Sequence, residues 1–230
     1  MGSPVVLFDL DGTALTFEGP PPGPGRTALE RAMRDLYALE GATKGLRVAG
    51  GTDRALARAM LQPLGAADDD AIERVLACDV GHLESVLQAR RYRPVGDVAA
   101  VVEALRARGA VVGVATGNVR AGARLKLASA GLLTTFDLAS GGFGCDAEPR
   151  AEIVRIAAER CARTRGDNAA GASLVVIGDT EHDVRAGRAV GARVVGVALT
   201  EAARVELEAA RADAIVSTCG DELVNAVWGP

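Results

Sequence analysis

The first strand-like stretch of the sequence is an apolar run that ends in two carboxylates. Val5-Val6-Leu7-Phe8 precedes Asp9-Leu10-Asp11-Gly12-Thr13. Such a run before a glycine turn predicts a strand that is buried on both faces, as in a parallel sheet covered by helices. Because side chains alternate along a strand, Asp9 and Asp11 should leave its end in about the same direction. Ligands bind at this end of open α/β sheets, and a hard divalent cation would let the two acids stay ionised side by side.

The composition is that of an ordinary globular protein and argues against several functions. The chain has 230 residues, 49% of them hydrophobic and 24% charged, which allows one core domain with a smaller appendage. The net charge of −4 gives no basic footprint for nucleic acid or an anionic membrane. The four cysteines lack Cys-x-x-Cys spacing, which favours reduced, mostly buried thiols. With neither an apolar run of membrane length nor a leader in the sequence, we expect a cytoplasmic protein.

A proline-rich connector and a helical insert follow the first strand. The connector Gly19-Pro20-Pro21-Pro22-Gly23-Pro24-Gly25 disfavours both a helix and a central strand, and it marks a domain boundary. From there to about residue 91, apolar residues recur at helical spacing, and Asp68-Asp69-Asp70 suits a helix start. Residues 17–91 are therefore predicted to form a helical cap, and residues 1–16 and 92–230 to form the catalytic core.

The rest of the chain alternates between predicted strands and helices. Strands are expected at 111–115, 136–139, 174–177, 193–197 and 214–216, and helices after Asp97 and at 119–130, 148–161, 182–190 and 201–210. Alternation at this spacing predicts right-handed βαβ units. The predicted fold class is therefore α/β, a doubly wound, Rossmann-like parallel sheet with an inserted helical cap domain.

Two further predicted strands end in polar residues that suit phosphate and metal. The first is followed by Thr116-Gly117-Asn118 at a helix start, where a hydroxyl and free backbone amides can bind a phosphate oxygen. The second leads into Gly178-Asp179-Thr180-Glu181-His182-Asp183, again with acids at the start of a helix. Helix capping is the alternative interpretation for Thr116 and for these acids.

Together these motifs resemble the signatures of the haloacid dehalogenase superfamily, most of whose members are magnesium-dependent phosphatases. The resemblance implies that Asp9 is the nucleophile and that Asp11 is the general acid and base. It implies that Mg²⁺ is bound by the Asp9 carboxylate, the Asp11 backbone carbonyl and Asp179, with Asp183 behind them holding water or backbone. Dehalogenases of this fold lack the second acid of the first motif, so Asp11 favours phosphate chemistry. The expected phosphate contacts are Thr116, Gly117 and Asn118.

The superfamily usually places a lysine near the end of the third strand or the start of the next helix. This sequence has Asp146-Ala147-Glu148-Pro149-Arg150 there, so Arg150 is predicted to neutralise Asp9 and the phosphate with its fork of donors. Lys126 is the competitor, but a lysine in the middle of a helix is typically a solvated surface residue. His182 is assigned no role.

The insert resembles the helical cap of phosphoglycolate phosphatases and β-phosphoglucomutases. Gly50-Gly51-Thr52-Asp53 is similar to a cap turn of that branch, with Gly51 where an arginine is frequent. The predicted substrate contacts in the cap are Gly50, Gly51 and Thr52. A cap that closes over the site excludes bulky substrates. We therefore expect a phosphatase, monomeric or homodimeric, that hydrolyses a small phosphorylated metabolite resembling phosphoglycolate through an aspartyl-phosphate. The alternatives are a phosphomutase of the β-phosphoglucomutase type and a non-catalytic module that binds phosphorylated metabolites.

Overall fold

The computed structural model of the chain describes residues 4–164 and 173–229. The strands are β1 (Val5–Phe8), β2 (Leu15–Phe17), β3 (Tyr92–Pro94), β4 (Val111–Thr116), β5 (Gly142–Phe143), β6 (Leu174–Gly178), β7 (Arg193–Val197) and β8 (Ala214–Val216). The helices are α1 (Pro24–Tyr37), α2 (Asp53–Leu61), α3 (Asp69–Ala89), α4 (Val98–Ala107), α5 (Arg120–Ser129), α6 (Arg150–Thr164), α7 (Glu181–Ala189), α8 (Glu201–Ala209) and α9 (Asp221–Trp228). Across the described ranges, no helix combines the length and the apolar character needed to cross a membrane.

The main sheet is parallel and has β1 near its middle. Its strand order is β5-β4-β1-β6-β7-β8. Each of the four residues of β1 is buried, and Phe8 lies level with Val114 of β4 and Ile177 of β6. The carboxyl ends of these three strands therefore meet at one edge of the sheet. The predicted α/β fold class is confirmed.

Helices cover both faces of the sheet, because the side chains of β1 alternate between two apolar cores. Val6 and Phe8 belong to the core that α4, α5 and α9 close. Val5 and Leu7 belong to the core that α6, α7 and α8 close. Burying one such side chain contributes about 1.5–3 kcal/mol, so this short strand is held firmly from both sides.

The cap consists of α1, α2 and α3, which share a third apolar core. Met33, Leu61 and Ile72 are fully buried in it. The chain leaves the sheet through β2 and returns through β3, and these strands pair with each other in antiparallel fashion. The division into a core of residues 1–16 and 92–230 and a cap of residues 17–91 stays a prediction, and both of its boundaries lie next to this ribbon.

Several local predictions differ from the structure. The strand expected at 136–139 is wrong, because this segment forms turns and Phe136 instead packs its ring 5.6 Å from that of Phe8. The strand in this part of the chain is β5, which pairs with Ala115 and Thr116 of β4. The helix expected at 148–161 begins later, at Arg150, directly after Pro149. The β2–β3 ribbon and helix α9 were not predicted.

Candidate active site

The candidate site lies where the central strands end. Asp9 directly follows β1, Thr116 ends β4, and Asp179 directly follows β6. The backbone amide of Asp9 donates to the Ile177 carbonyl at 2.9 Å, which continues the sheet pairing into the first motif. Residues from three distant parts of the sequence therefore share one edge of the sheet.

Three carboxylates crowd together at this edge. Asp9, Asp179 and Asp183 each offer an oxygen within 4.8 Å of the others. Burial and the charge of Asp183 raise the pKa of Asp9 to about 6 against the opposing effect of Arg150. Burial and the same neighbour also raise the pKa of Asp179 well above its ordinary value. Three buried carboxyl groups so close together ionise fully only beside additional positive charge. Carboxylate oxygens are ligands that Mg²⁺ prefers, so these residues fit a divalent ion.

Gly12 is required by the packing of the first motif against Asp179. Its φ of +83° is in the left-handed region, and a Cβ at this position would lie 2.1 Å from Asp179 Oδ2. Next to it, the Thr13 hydroxyl donates to Asp179 Oδ1 at 3.2 Å. The Asp-Gly-Thr part of the motif therefore positions the Asp179 carboxylate at the end of β6.

Arg150 lies inside the carboxylate group, as the sequence predicted for its position. Its Nη2 is 2.8 Å from Asp9 Oδ1 and 2.6 Å from Asp183 Oδ1. Its Nε donates to Asp183 Oδ1 at 2.9 Å, and its Nη1 donates to the Gly50 carbonyl at 3.2 Å. Burial lowers the pKa of Arg150, but the charges of Asp183 and Asp9 outweigh it and the pKa rises. The first residue of α6 thus offsets two of the three carboxylates.

The interpretation of Lys126 as a solvated surface residue is wrong. Only 6% of it is exposed, because it lies on the buried face of α5 with Ala123 and Leu127. Its Nζ lies 2.5 Å from Asp11 Oδ2 and also contacts Asn118 Oδ1. Enclosure would raise the pKa of Asp11, but the charge of Lys126 outweighs it and the pKa is lowered. Arg150 and Lys126 are therefore each paired with a different acid of the first motif.

The predicted phosphate contacts follow β4. Thr116, Gly117 and Asn118 all line the same cavity. The Asn118 side-chain amide donates to Asp11 Oδ2 at 2.7 Å and to the Thr116 hydroxyl at 2.9 Å. Asn118 therefore links the hydroxyl of β4 to the second acid of β1, which orients both side chains toward the cavity.

The cap turn Gly50-Gly51-Thr52-Asp53 docks onto the core. The Gly50 carbonyl accepts the hydrogen bond from Arg150, and the Asp53 carboxylate accepts one from the Val119 amide at 2.7 Å, next to the start of α5. Two residues of the turn thus contact groups of the core directly.

Thr52 has a different position from the one predicted for it. Its hydroxyl accepts from the Ala55 amide at 3.3 Å as the N-cap of α2, and it donates to the Glu148 carbonyl at 3.1 Å. Gly50 and Gly51 line the cavity, whereas Thr52 does not. The hydroxyl of Thr52 therefore serves the docking of the cap rather than a ligand.

A cavity of about 320 Å³ lies between the core and the cap. This volume is at the lower end of the range for small-molecule sites. Its lining from the core includes Asp9, Asp11, Thr116, Gly117, Asn118, Lys126, Arg150 and Asp179. Its lining from the cap includes Arg26, Leu29, Val48, Gly50, Gly51, Asp53 and Asp79.

Comparison with known proteins agrees with this arrangement. The model of a family described as haloacid dehalogenase-like hydrolase matches residues 4–191. "Probable phosphatase IndB" from Dickeya dadantii (strain 3937) is 28% identical over 216 residues, which are 94% of this chain and 90% of that protein. A hydrolase from Pseudomonas syringae has a similar structure, with a TM-score of 0.70, 20% identity and 96% of both chains covered. A predicted phosphoglycolate phosphatase from Haemophilus somnus 129PT has a TM-score of 0.63 and 19% identity, with 95% of this chain and 96% of that chain covered.

The fold and the acidic site define a hydrolase with a Rossmann-like core and an inserted cap. The family match spans most of the chain, so the protein belongs to the haloacid dehalogenase-like hydrolase family. The family resemblance expected from the sequence motifs is confirmed.

Proposed function

We propose that the protein is a magnesium-dependent phosphatase that hydrolyses a small phosphomonoester through an aspartyl-phosphate on Asp9. The observation that carries the proposal is that each acid of the first motif is paired with its own cation on the core side of one cavity. Arg150 is paired with Asp9, and Lys126 is paired with Asp11. A carboxylate nucleophile and a phosphate repel each other, so their reaction needs positive charge held in place beforehand.

The metal would be held by Asp9 and Asp179 together with the backbone carbonyl of Asp11. When bound, it supplies the positive charge that polarises the phosphoryl group and offsets the carboxylates. Asp183 would support the site through Arg150, since its carboxylate already accepts from that side chain and from the Thr180 hydroxyl at 2.7 Å. The capping role that the sequence left open for Asp183 is therefore compatible with a role beside the metal.

The chain's own residues would carry out two chemical steps. In the first, an oxygen of Asp9 attacks phosphorus, the bond from phosphorus to the ester oxygen breaks, and Asp11 gives a proton to that oxygen as the alcohol leaves. In the second, Asp11 takes a proton from water, the water oxygen attacks phosphorus, and the Asp9–phosphorus bond breaks to release phosphate. The pKa of Asp11 is low in the free protein, and the negative charge of a bound phosphate would raise it, which favours the protonated acid.

The cavity and the relatives support a small phosphorylated metabolite as the substrate class. A volume of about 320 Å³ under a cap admits a small phosphorylated metabolite and excludes a macromolecule. The relative from Dickeya dadantii is named a probable phosphatase, and one similar structure is described as a predicted phosphoglycolate phosphatase. A small ester resembling phosphoglycolate remains the expectation from the sequence.

The test is hydrolysis of p-nitrophenyl phosphate with and without Mg²⁺. We expect turnover by the wild type and its loss in Asp9→Asn, because the amide is a poor nucleophile. Asp70→Asn is the matched control, since this exposed aspartate lies on the outside of the cap. Mass spectrometry after acid quenching should find one phosphoryl group on Asp9 in the wild type.

Three outcomes would contradict the proposal in different ways. Full magnesium-dependent activity in Asp9→Asn would exclude Asp9 as the nucleophile. Binding of phosphate esters without any turnover would favour the non-catalytic module. Conversion of one sugar phosphate into another with a sugar bisphosphate activator, without release of inorganic phosphate, would favour the phosphomutase.

A further inference from the structure

The cap contributes a buried carboxyl group that the proposed chemistry does not use. Asp79 lies on α3, one turn from Val75 and Leu83, on the face that carries the apolar side chains of this helix. Only 9% of Asp79 is exposed, and it lines the cavity between cap and core. An acid on the apolar face of a helix is unusual, since packing alone would favour a leucine or methionine there.

One oxygen of this carboxyl group is buried without a partner in the described part of the chain. Its Oδ1 is fully buried and has no hydrogen-bond partner among residues 4–164 and 173–229. An unsatisfied buried polar group lowers stability. No contact within the described structure compensates for this loss of stability. The candidate partner is therefore a ligand that binds in the cavity and satisfies this oxygen.

The charged groups that face Asp79 come from two other elements. Burial, together with the charge of Asp53, raises the pKa of Asp79 to about 8, and Lys126 opposes this effect. Lys126 contacts Asp11 and Asn118, and within the described residues it makes no hydrogen bond to Asp79 Oδ1. Near neutral pH the carboxyl group of Asp79 therefore exists in both its protonated and its ionised form.

The cap side of the cavity offers little positive charge to a second anion. Arg26 is the cation of the cap in the lining, and its Nε donates to the Thr43 hydroxyl at 2.6 Å. Its Nη2 donates to the Thr43 carbonyl at 3.3 Å. Glu30 accepts from the Thr43 amide at 2.9 Å and offsets the charge of Arg26 nearby. A substrate carboxylate near Asp79 would instead meet the acids Asp53 and Asp79.

We infer that Asp79 is a specificity-determining residue that binds a hydroxyl group on the alcohol part of the substrate. A hydroxyl group donates to an ionised carboxylate and accepts from a protonated one, so it suits both forms of Asp79. An ammonium group suits only the ionised form, and a carboxylate suits only the protonated one. The substrate class is therefore a hydroxylated phosphate ester, such as a polyol or sugar phosphate, in place of the phosphoglycolate-like ester that the sequence predicts. The inference rests on the proposed phosphatase function.

The experiment uses phosphate esters that differ only in their end group. Ethyl phosphate, 2-hydroxyethyl phosphate, phosphoethanolamine and phosphoglycolate end in a methyl, hydroxyl, ammonium and carboxylate group. Esters with the same four end groups on three- and four-carbon chains vary the length of the alcohol part independently of its end group. The enzymes are the wild type, Asp79→Leu, Asp79→Asn and the exposed control Asp70→Asn.

Among the esters with the chain length that gives the highest activity, the wild type should have its highest kcat/KM for the hydroxyl ester. Asp79→Leu should lower the ratio of kcat/KM for the hydroxyl ester to that for the methyl ester by about tenfold to a hundredfold, the usual effect of losing one hydrogen bond to a carboxyl group. Asp79→Asn should recover part of this ratio, because an amide still donates and accepts. Melting temperatures of the free variants check folding, and Asp79→Leu should melt no lower than the wild type.

Failure of this inference is distinguishable from failure of the proposed function. If the wild type hydrolyses the esters but prefers the carboxylate or ammonium end group at every length, the inference is wrong and the phosphatase stands. An unchanged ratio in Asp79→Leu would also overturn the inference while leaving the phosphatase in place. If the wild type hydrolyses neither these esters nor p-nitrophenyl phosphate, the proposed function fails and the inference fails with it.

Discussion

Replacing Asp79 with asparagine should remove a pH dependence from the free energy of unfolding. The folded protein holds the pKa of this buried carboxyl group at about 8, against an ordinary value of 3.8. Because the folded pKa is the higher one, the stabilising effect of the proton is complete below the ordinary value and is lost as the pH rises toward 8. Asparagine cannot ionise, so the free energy of unfolding of the variant lacks this dependence on pH.

The size of the effect follows from the proton that the folded state retains and the unfolded state releases. Each pH unit in this interval costs the wild type about 1.4 kcal/mol. Between about pH 5 and about pH 7, the free energy of unfolding of the wild type should therefore fall by roughly 2–3 kcal/mol relative to Asp79→Asn. Burial and the charge of Asp53 on α2 raise this pKa, Lys126 on α5 opposes them, and neither charged side chain is changed in the variant.

Urea unfolding followed by circular dichroism measures this difference, with a chelator present so that metal binding does not contribute. The quantity compared is the wild-type free energy minus that of Asp79→Asn at each pH. Asp70→Asn is the control for the substitution itself, because it makes the same change at an exposed position of the same helix. A difference for Asp79→Asn that stays constant across the interval would show that this carboxyl group is ionised in the folded protein, and the reasoning above would be refuted.

Three further predictions concern the core. Gly12→Ala should lower turnover by about a hundredfold or more, because its Cβ would displace Asp179. Gly41→Ala is the control, because Gly41 has a φ of +65° but lies in open space, so this variant carries only the backbone strain of a side chain at positive φ. An equal loss of turnover in both variants would contradict the steric argument. Arg150→Ala should lower kcat by about 10²–10³-fold, with partial recovery in Arg150→Lys, and kinetics equal to the wild type in either variant would exclude the predicted role. Mg²⁺ should raise the melting temperature of the wild type and leave that of Asp179→Asn unchanged, whereas equal shifts would place the ion elsewhere.

The sequence predicted the strands that are marked by an apolar run of their own. The apolar runs of β1, β4 and β6 end in polar residues, and parallel pairing brings those ends to one edge of the sheet. The position of Asp179 beside Asp9 was implied by the resemblance to the superfamily, and the structure brings these two carboxylates together. The two-residue strand β5 has no such pattern, because its two residues pair only where β4 supplies the partner.

Lys126 shows why part of the site was missed. A lysine within a helix is usually solvated, and only the acid contributed by another element makes its burial favourable. A signal was nevertheless present, because Lys126 shares a helix face with Gly122, Ala123 and Leu127, all of them buried. Asp79 on α3 is a second case of an ionisable residue on an apolar helix face. In both cases the exception to the apolar pattern marks the wall of the cavity.

The β2–β3 ribbon determines how the cap is attached. Thr16 lies opposite Arg93 within it, so the outgoing and returning connections are hydrogen-bonded to each other. Two tethers joined in this way bend as a single hinge, and neither can lengthen or rotate without the other. An insertion into one strand would therefore shift the register of both connections and move the whole cap. Changes in chain length are thus restricted to the loops beyond the hinge.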